Sequence, residues 1–267
     1  MITADFHVHT QFSDGRDAIG AVAARAYASG MTAVGFSEHV YAPYDLEVCM
    51  RPGTAPAYRD ACRRLREEYR GRMAVYCGIE QDLFAEEPTD GYDYVIGAVH
   101  YVRINGEYLT VDWKRDTLDR AAALLGGDML KVAEEYFRLV SRVVEVTRCQ
   151  LIAHFDLIAK LNQREHLFDE NDPRYVAAWR QAADILLETG VPFEINTGAV
   201  SRGYRTEAYP ALPIRRYLRD RGARFVLSSD SHSLETLRYD FERQERICAE
   251  EGFVLTDLAV PEVEHHQ

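Results

Sequence analysis

Short apolar runs that end in a metal-binding type of side chain recur along this chain of 267 residues. Six of the nine histidines close such runs, and they are His7 and His9 in ADFHVHT, His39 in AVGFSEH, His100 in YVIGAVH, His154 in LIAHFDL and His232 in FVLSSDSH. Glu80 closes the run AVYCGIE, and Asp230 shares the last run with His232. Imidazole and carboxylate are the ligands that divalent metals prefer. Because parallel β/α folds gather strand ends at one mouth, this repetition predicts a metalloenzyme site there.

Seven β-rich runs alternate with segments of helical periodicity. The predicted strands are ITADFHVH, TAVGFSEH, MAVYCGIE, YDYVIGAVH, CQLIAHFDL, VPFEINT and ARFVLSSD. The predicted helices cover residues 17–29, 55–70, 128–147, 173–189, 210–221 and 234–251. The alternation predicts one α/β domain over residues 1–267, with a parallel sheet that closes into a TIM-like barrel. The long connections 101–127, 155–171 and 197–210 are expected to carry specificity on the catalytic face.

The composition restricts the class of partner. The net charge of −12 disfavours a broad surface for nucleic acid polymers, although bound metal ions would still admit an anionic substrate. There is no apolar stretch of about 20 residues for a membrane span, and MITADFHVHT has no signal-peptide pattern. We therefore expect a cytoplasmic protein with its native N-terminus. Five scattered cysteines without a CxxC pair predict reduced thiols, and PEVEHHQ, with His265 and His266, predicts a polar tail.

The motifs DFHVHTQFSDG, FSEH, GIE, GAVH, AHFD and SSDSH occur in this order along nearly the whole chain. This ordered set resembles the PHP (polymerase and histidinol phosphatase) superfamily. The resemblance implies a distorted seven-stranded (β/α)7 barrel with a trinuclear metal site. The implied ligand sets are His7, His9, Glu80 and Asp230 for the first ion, Glu80, His100 and His154 for the second, and Asp14, His39 and His232 for the third. Two to three Zn, Mn or Fe ions suit this mixture of nitrogen and oxygen ligands.

Other readings of individual residues remain open. A single histidine at a strand end is more often a hydrogen-bonded structural residue, so the metal prediction rests on the whole set. Glu38 precedes a ligand on the opposite strand face, so it packs there or supports a ligand. Glu194 either supports its strand or orients a ligand histidine.

A cluster of this kind favours phosphoester hydrolysis. Metal ions lower the pKa of water to about 7 and neutralise phosphoryl oxygens, which predicts in-line attack on phosphorus by a metal-bridged hydroxide. Asp230 and His232 are the nearest candidates for moving protons, and we predict them as catalytic residues.

The substrate prediction rests on two further stretches. FEINTGAVSRGYRTEAYP and AHFDLIAKLNQ are similar to the histidinol-phosphate phosphatase subgroup, which implies L-histidinol phosphate as the substrate. The predicted substrate-binding residues are Arg202, Arg205, Lys160 and Asn196. Guanidinium and ammonium groups suit a phosphate monoester, although loop cations are commonly only solvated. Loop aromatics and acids could hold the cationic remainder of the substrate, and they are Tyr41, Tyr44, Asp45, Tyr101, Asp112 and Trp113.

Three alternatives stay open. Another PHP phosphoesterase would act on nucleotides, cyclic phosphates or short oligonucleotides. A carbon–nitrogen hydrolase of amidohydrolase type also uses an HxH motif, but the pair Asp230 and His232 and the lack of an obvious carbamylated-lysine strand favour phosphorus. A metal-binding regulator without activity is disfavoured because every expected ligand is present. The sequence predicts nothing about oligomeric state.

Overall fold

The computed structural model describes residues 2–260. The predicted polar tail, with His265 and His266, lies outside these residues. Within residues 2–260 no helix combines the length and the apolar character that a membrane crossing needs. The five cysteines are buried free thiols, as predicted from their spacing.

A curled parallel sheet of eight strands forms the centre of the described fold, in the order β1-β2-β3-β4-β7-β8-β9-β10. In chain order the strands are β1 (Ala4–Asp5), β2 (Ala33–His39), β3 (Ala74–Asp82), β4 (Tyr94–Ala98), β5 (Tyr101–Ile104), β6 (Glu107–Thr110), β7 (Leu151–Ile152), β8 (Phe193–Asn196), β9 (Arg224–Ser228) and β10 (Val254–Leu255). All seven predicted strands are present, and β10 adds an eighth beside β9. The predicted count of seven strands is therefore one short for the parallel sheet within residues 2–260.

The edge strand β1 approaches β9, the last but one strand of the sheet, at the carboxyl end of the strands. An isolated bridge joins Val8, just after β1, to Ser231, just after β9. His9 N donates to Ser231 O at 2.8 Å, and Ser231 N donates to His7 O at 3.2 Å. These bonds bring the HxH motif that follows β1 beside Asp230 and His232, which follow β9.

Helices surround the sheet between successive strands. They are α1 (Ile19–Ala28), α2 (Ala55–Glu68), α3 (Arg115–Leu124), α4 (Met129–Val140), α5 (Val143–Thr147), α6 (Asn162–Glu165), α7 (Pro173–Leu187), α8 (Gly198–Ser201), α9 (Leu212–Arg219) and α10 (Phe241–Glu251). α7 begins as the sequence predicts, because Asp172 accepts a hydrogen bond from Arg174 N ahead of a first-turn proline.

Three predicted segments differ from the structure. The connection 101–127 is not a loop: it contains the antiparallel pair β5 and β6, joined through Asn105 and Gly106, and then α3. Both turn residues have positive φ, which matches the right-handed twist of a hairpin. The helix predicted over 128–147 divides into α4 and α5, and the helix predicted over 234–251 begins only at Phe241.

The buried side chains form two layers. The larger layer lies between the helices and the outer face of the sheet. A smaller apolar cluster fills the interior of the curled sheet, and its members are Phe6, Tyr94, Ile96, Ala98, Leu151, Ala153, Val226 and Leu258. The interior beyond this cluster, toward the carboxyl ends of the strands, is polar.

Candidate metal centre

Glu80 lies at the centre of a ring of imidazoles at the carboxyl end of the sheet. The register between β2 and β3 aligns His39 with Glu80. The distances to Glu80 Oε2 are 3.2 Å from His7 Nε2, 3.4 Å from His9 Nε2 and 3.0 Å from His39 Nδ1, and those to Oε1 are 3.4 Å from His100 Nε2 and 2.9 Å from His154 Nε2. This central place is what a carboxylate shared between two ions requires.

A tight turn after β1 carries Asp14. Gly15 makes the turn possible, because a Cβ there would lie 2.4 Å from backbone atoms of His9 and Thr10. Glu38 accepts hydrogen bonds from Thr10 N at 3.1 Å and Thr10 Oγ1 at 2.5 Å, and these bonds stabilise the turn. Burial raises the pKa of Glu38 to about 7, although its hydrogen bonds act in the opposite direction. Glu38 therefore supports the turn and contacts no predicted ligand directly.

Three groups of side chains could each hold a metal ion. They are Asp14 with His9, His39 and His232, Asp230 with His7 and His9, and Glu80 with His39 and His100. In each group the ligand-type atoms, one from each residue, lie within 4.8 Å of one another. Every residue of the predicted ligand sets lies in this cluster, with His154 joining through its contact to Glu80. The division of ligands between individual ions stays a prediction.

Buried atoms without partners provide a test of whether the cluster fits metal ions. Both ring nitrogens of His9, His7 Nε2 and Glu80 Oε2 are buried and make no hydrogen bond. Unpaired buried polar atoms cost free energy, so native proteins supply them with partners. A cation can be the missing partner of several lone-pair atoms that converge on one point. The residues present therefore fit divalent ions.

Charges in the cluster keep its carboxylates ionised. Burial raises the pKa of Glu80, but His7 and His39 outweigh burial and hold that pKa well below its usual value. Burial also raises the pKa of Asp230, and here Arg202 and His7 hold it well below its usual value. Ionised carboxylates are the form that binds metals.

A cavity of about 420 Å³ opens above the cluster. Its volume lies within the range of small-molecule sites, about 300–1,000 Å³. Glu80 and Asp230 lie at its floor. Its walls include Lys160, Arg202, Tyr204, Asp112, Tyr44 and Tyr101. The cavity therefore joins the metal-ligand cluster to a polar and aromatic rim.

Comparison with known families decides the affiliation of the chain. Residues 5–198 match the PHP domain family, a stretch that includes the strands up to β8. The chain belongs to the PHP family.

Two curated relatives refine this placement. A protein of Deinococcus radiodurans named "Probable histidinol-phosphatase" is 30% identical over 244 residues, 85% of each chain. The histidinol-phosphatase of Bacillus subtilis is 24% identical over 266 residues, which cover 91% of this chain and 98% of the relative. Within the PHP family the chain thus groups with the histidinol-phosphatase subgroup.

Two solved structures share the fold. A crystal structure from Listeria monocytogenes superposes with a TM-score of 0.77 at 17% identity and covers 90% of this chain and 99% of its own. The histidinol phosphate phosphatase of Lactococcus lactis, described in complex with Zn, L-histidinol and phosphate, superposes with a TM-score of 0.64 at 18% identity, over 95% of each chain. At these identities the likeness concerns the fold alone.

Two of the four predicted substrate-binding residues line the cavity of this PHP chain. Arg202 Nη2 lies 2.9 Å from Asp230 Oδ2, and its Nη1 lies 2.9 Å from His232 Nδ1. Gly198 permits this approach, since a Cβ there would lie 2.6 Å from Asp230 Oδ2. Lys160 Nζ donates to Asp112 Oδ2 at 2.7 Å. Both cations therefore face the ligand cluster while held by carboxylates.

The other two predicted substrate-binding residues do not line the cavity. Arg205 is buried, donates to Ala159 O at 2.9 Å and lies 3.6 Å from Glu170 and Glu207. Its burial among these partners favours a structural role and corrects the sequence interpretation.

Asn196 is likewise fully engaged below the cavity. Its Nδ2 donates to Glu194 Oε2 at 3.0 Å and to Asp230 Oδ2 at 3.3 Å, and its Oδ1 accepts from Gly198 N at 2.8 Å. Each polar atom of this side chain already has a partner within the protein, so its place favours support of Asp230.

Two residues at the site escaped the sequence analysis. Asp82 accepts hydrogen bonds from His100 N at 2.9 Å and from Tyr44 Oη at 2.8 Å. Its spacing of two residues from Glu80 on β3 puts both on one strand face, which is a signal the sequence does contain. Tyr204 lines the cavity with its ring centroid 5.1 Å from Lys160 Nζ, and it lies in the stretch FEINTGAVSRGYRTEAYP without having been singled out there.

Proposed function

We propose that this chain is a metal-dependent phosphatase that hydrolyses L-histidinol phosphate to L-histidinol and phosphate. Five histidine rings around the Glu80 carboxylate, beneath a cavity of about 420 Å³, carry the proposal. The names of the two curated relatives and the histidinol and phosphate described for the Lactococcus lactis structure support the choice of substrate. Because the cluster draws on strands from β1 to β9, we propose that the whole chain acts as one domain.

The proposed metal ligands number nine. They are His7, His9, Asp14, His39, Glu80, His100, His154, Asp230 and His232. We propose two to three ions, with Zn, Mn or Fe as candidates. Bound divalent ions would supply positive charge for the phosphoryl oxygens and a hydroxide nucleophile at neutral pH.

The protein's own cations would bind and orient the phosphate. Lys160 and Arg202 stand on the wall of the cavity above Asp230. The negative charge of the phosphoryl group spreads over its oxygens during transfer, so fixed cations stabilise that transition state. The Arg202 guanidinium is planar and suits two oxygens at once, whereas Lys160 supplies a point charge.

Asp230 keeps its proposed role in proton transfer, whereas the contacts of His232 favour a different role. Burial raises the pKa of Asp230, but Arg202 beside it holds that pKa well below its usual value, so Asp230 is ionised and able to accept a proton from the attacking water. Both ring nitrogens of His232 are engaged, Nδ1 with Arg202 and Nε2 facing Asp14 at 3.2 Å. This engagement favours His232 as a ligand more than as a proton donor.

The rim of the cavity suits the cationic remainder of L-histidinol phosphate. Asp45 and Tyr101 hydrogen bond to each other there, and Tyr44 stacks on Tyr108 with ring centroids 4.2 Å apart. Carboxylates and aromatic faces are the groups that attract ammonium and imidazolium ions. A cavity of this size suits a small-molecule monoester.

The deciding experiment measures phosphate release from L-histidinol phosphate beside nucleotides, sugar phosphates and cyclic phosphates, with metal content determined on the same sample. We expect at least two metals per chain and the highest kcat/KM for L-histidinol phosphate. A higher kcat/KM for a nucleotide would make the chain a different PHP phosphoesterase. A metal-loaded sample inactive on every ester would overturn the phosphatase proposal.

A further inference from the structure

Glu194 is a carboxylate in the polar interior that lies outside the nine proposed ligands. It sits on β8, and its side chain is fully buried. Its Oε1 lies 2.5 Å from His7 Nδ1. Its Oε2 accepts hydrogen bonds from His154 N at 2.8 Å and from Asn196 Nδ2 at 3.0 Å. One carboxylate therefore contacts two of the nine residues directly and reaches a third through Asn196.

The contact with His7 decides which ring nitrogen faces the cluster. A carboxylate only accepts hydrogen bonds, so the Nδ1 of His7 must carry the proton between them. The opposite nitrogen, Nε2, then points at Glu80 Oε2, 3.2 Å away, and at Asp230 Oδ1, 3.8 Å away. A hydrogen bond from one ring nitrogen to a carboxylate fixes the orientation and raises the basicity of the other nitrogen as a metal ligand.

The second oxygen of Glu194 acts on two other places in the cluster. Its bond to the backbone of His154 fixes the end of β7, from which the His154 ring reaches Glu80 Oε1 at 2.9 Å. Its bond to Asn196 orients an amide that in turn donates to Asp230 Oδ2 at 3.3 Å. Asp230 has a φ of +50°, a left-handed backbone conformation that costs free energy in a residue other than glycine. Its hydrogen bond from Asn196 helps to hold the side chain in this conformation.

We propose that Glu194 is the positioning residue of the metal centre, which sets the His7 ring, the His154 backbone and the Asp230 carboxylate for a divalent ion. The inference rests on the proposed metal-dependent function. It concerns the affinity for the ion and is independent of which ester is hydrolysed.

The substitution Glu194→Gln tests this role, because glutamine is nearly isosteric with glutamate but carries only one acceptor oxygen. Three donors converge on the Glu194 carboxylate, from His7, His154 and Asn196. In either orientation of a glutamine side chain its NH₂ group would face at least one of these donors. If that donor is His7, the ring must change tautomer and present an N–H to the cluster in place of a lone pair.

Asp156 provides the matched control. It is also a fully buried carboxyl near the end of β7, but it accepts its hydrogen bond from Ala211 N at 3.0 Å and contacts none of the nine proposed ligand side chains. Substitution of Asp156 by Asn therefore reports the cost of altering a buried carboxyl in this part of the fold.

The experiment is a competition between a zinc chelator and metal-free preparations of the wild type, Glu194→Gln and Asp156→Asn. We expect Glu194→Gln to bind zinc about 10- to 100-fold more weakly, the range found for residues that orient metal ligands. The zinc affinity of Asp156→Asn should stay within about 2-fold of that of the wild type, while both variants should be less thermally stable than the wild type. If Glu194→Gln loses only stability and binds zinc as tightly as the wild type, Glu194 is structural and the proposal is wrong.

Two further readouts keep the test decisive. If Glu194→Gln does not fold, the wild type loaded with cobalt(II) reports the same bond by NMR. The ring N–H of His7 should then exchange slowly with D₂O because it is buried against Glu194, and immediate exchange would overturn the proposal. If the wild type binds neither zinc nor manganese nor iron, the proposed metal-dependent function fails, which is a different result from equal binding by wild type and variant.

Discussion

The two ends of the sheet interior are equally buried but have opposite chemistry. Along the inward face of β4, Tyr94, Ile96 and Ala98 are apolar, and the next residue in that alternation is His100. Along β3 the inward face changes in the same direction, from Tyr76 to Glu80. The amino end is thus an apolar plug, and the carboxyl end is a cluster of imidazoles and carboxylates.

The difference separates stability from function. Apolar contacts at the amino end stabilise the fold by about 25 cal/mol for each Å² removed from water. The carboxyl end instead holds unpaired acceptors such as His7 Nε2 and Glu80 Oε2, which destabilise the metal-free chain. Substitutions at the two ends should therefore affect different measurements.

The largest effect on activity is expected for Glu80. In Glu80→Gln the centre of the cluster loses its charge, so we expect metal content to fall and kcat/KM to drop by at least about 100-fold, beyond the loss for residues that only orient ligands. We expect the same loss of metal content and kcat/KM in His9→Ala. Full metal content with full activity in either variant would refute the assignment of this end as the metal centre.

Arg202 should give the next largest effect. Arg202→Ala removes charge-assisted hydrogen bonds of about 1.5–3 kcal/mol each, so we expect KM for phosphate monoesters to rise at least about 10-fold with a smaller change in kcat. Metal analysis of the same sample is needed because Arg202 also contacts Asp230 and His232. Unchanged steady-state kinetics would remove Arg202 from the substrate site and leave it only as a support of Asp230.

The apolar end should respond in the opposite way. Leu258 follows β10, is buried in the interior cluster and belongs to none of the strands that carry proposed ligands. Leu258→Ala should lower the free energy of unfolding by about 2–4 kcal/mol because it opens a cavity. The kcat/KM and metal content of the folded protein should not change. A loss of metal in this variant, measured below its unfolding temperature, would show that the two ends are coupled.

The sequence predicts well which side chains the fold brings together at the candidate metal centre, because that information is local. Apart from Asp14, each proposed ligand lies at or just beyond the end of a strand, and parallel strands bring their carboxyl ends to one edge whatever the details of packing. All nine predicted ligands lie in the cluster for this reason. The hairpin formed by β5 and β6 could also have been predicted from the sequence, because Asn105 and Gly106 between two β-rich stretches are a strong hairpin signal.

The roles of polar loop residues were harder to predict. Arg202 and Arg205 stand three positions apart on one loop, and both have the chemistry for phosphate. Only the folded chain separates them, since α8 turns Arg202 toward Asp230 while Arg205 is buried beside Glu170. The same holds for β10, a two-residue strand whose pairing depends on contacts distant in sequence. Long-range packing, which periodicity does not encode, decides such cases.

Arg205 provides the smallest expected effect on activity and the sharpest contrast with Arg202. Arg205→Ala should leave KM for phosphate monoesters unchanged, because the side chain lies outside the cavity and pairs with Glu170 and Glu207. It should still lower the free energy of unfolding by about 1–3 kcal/mol, since buried partners such as Ala159 O lose their donor. Steady-state kinetics and thermal unfolding of the same preparation separate the two quantities. A tenfold rise in KM with an unchanged unfolding temperature would contradict the structural role and return Arg205 to the phosphate site that the sequence predicts.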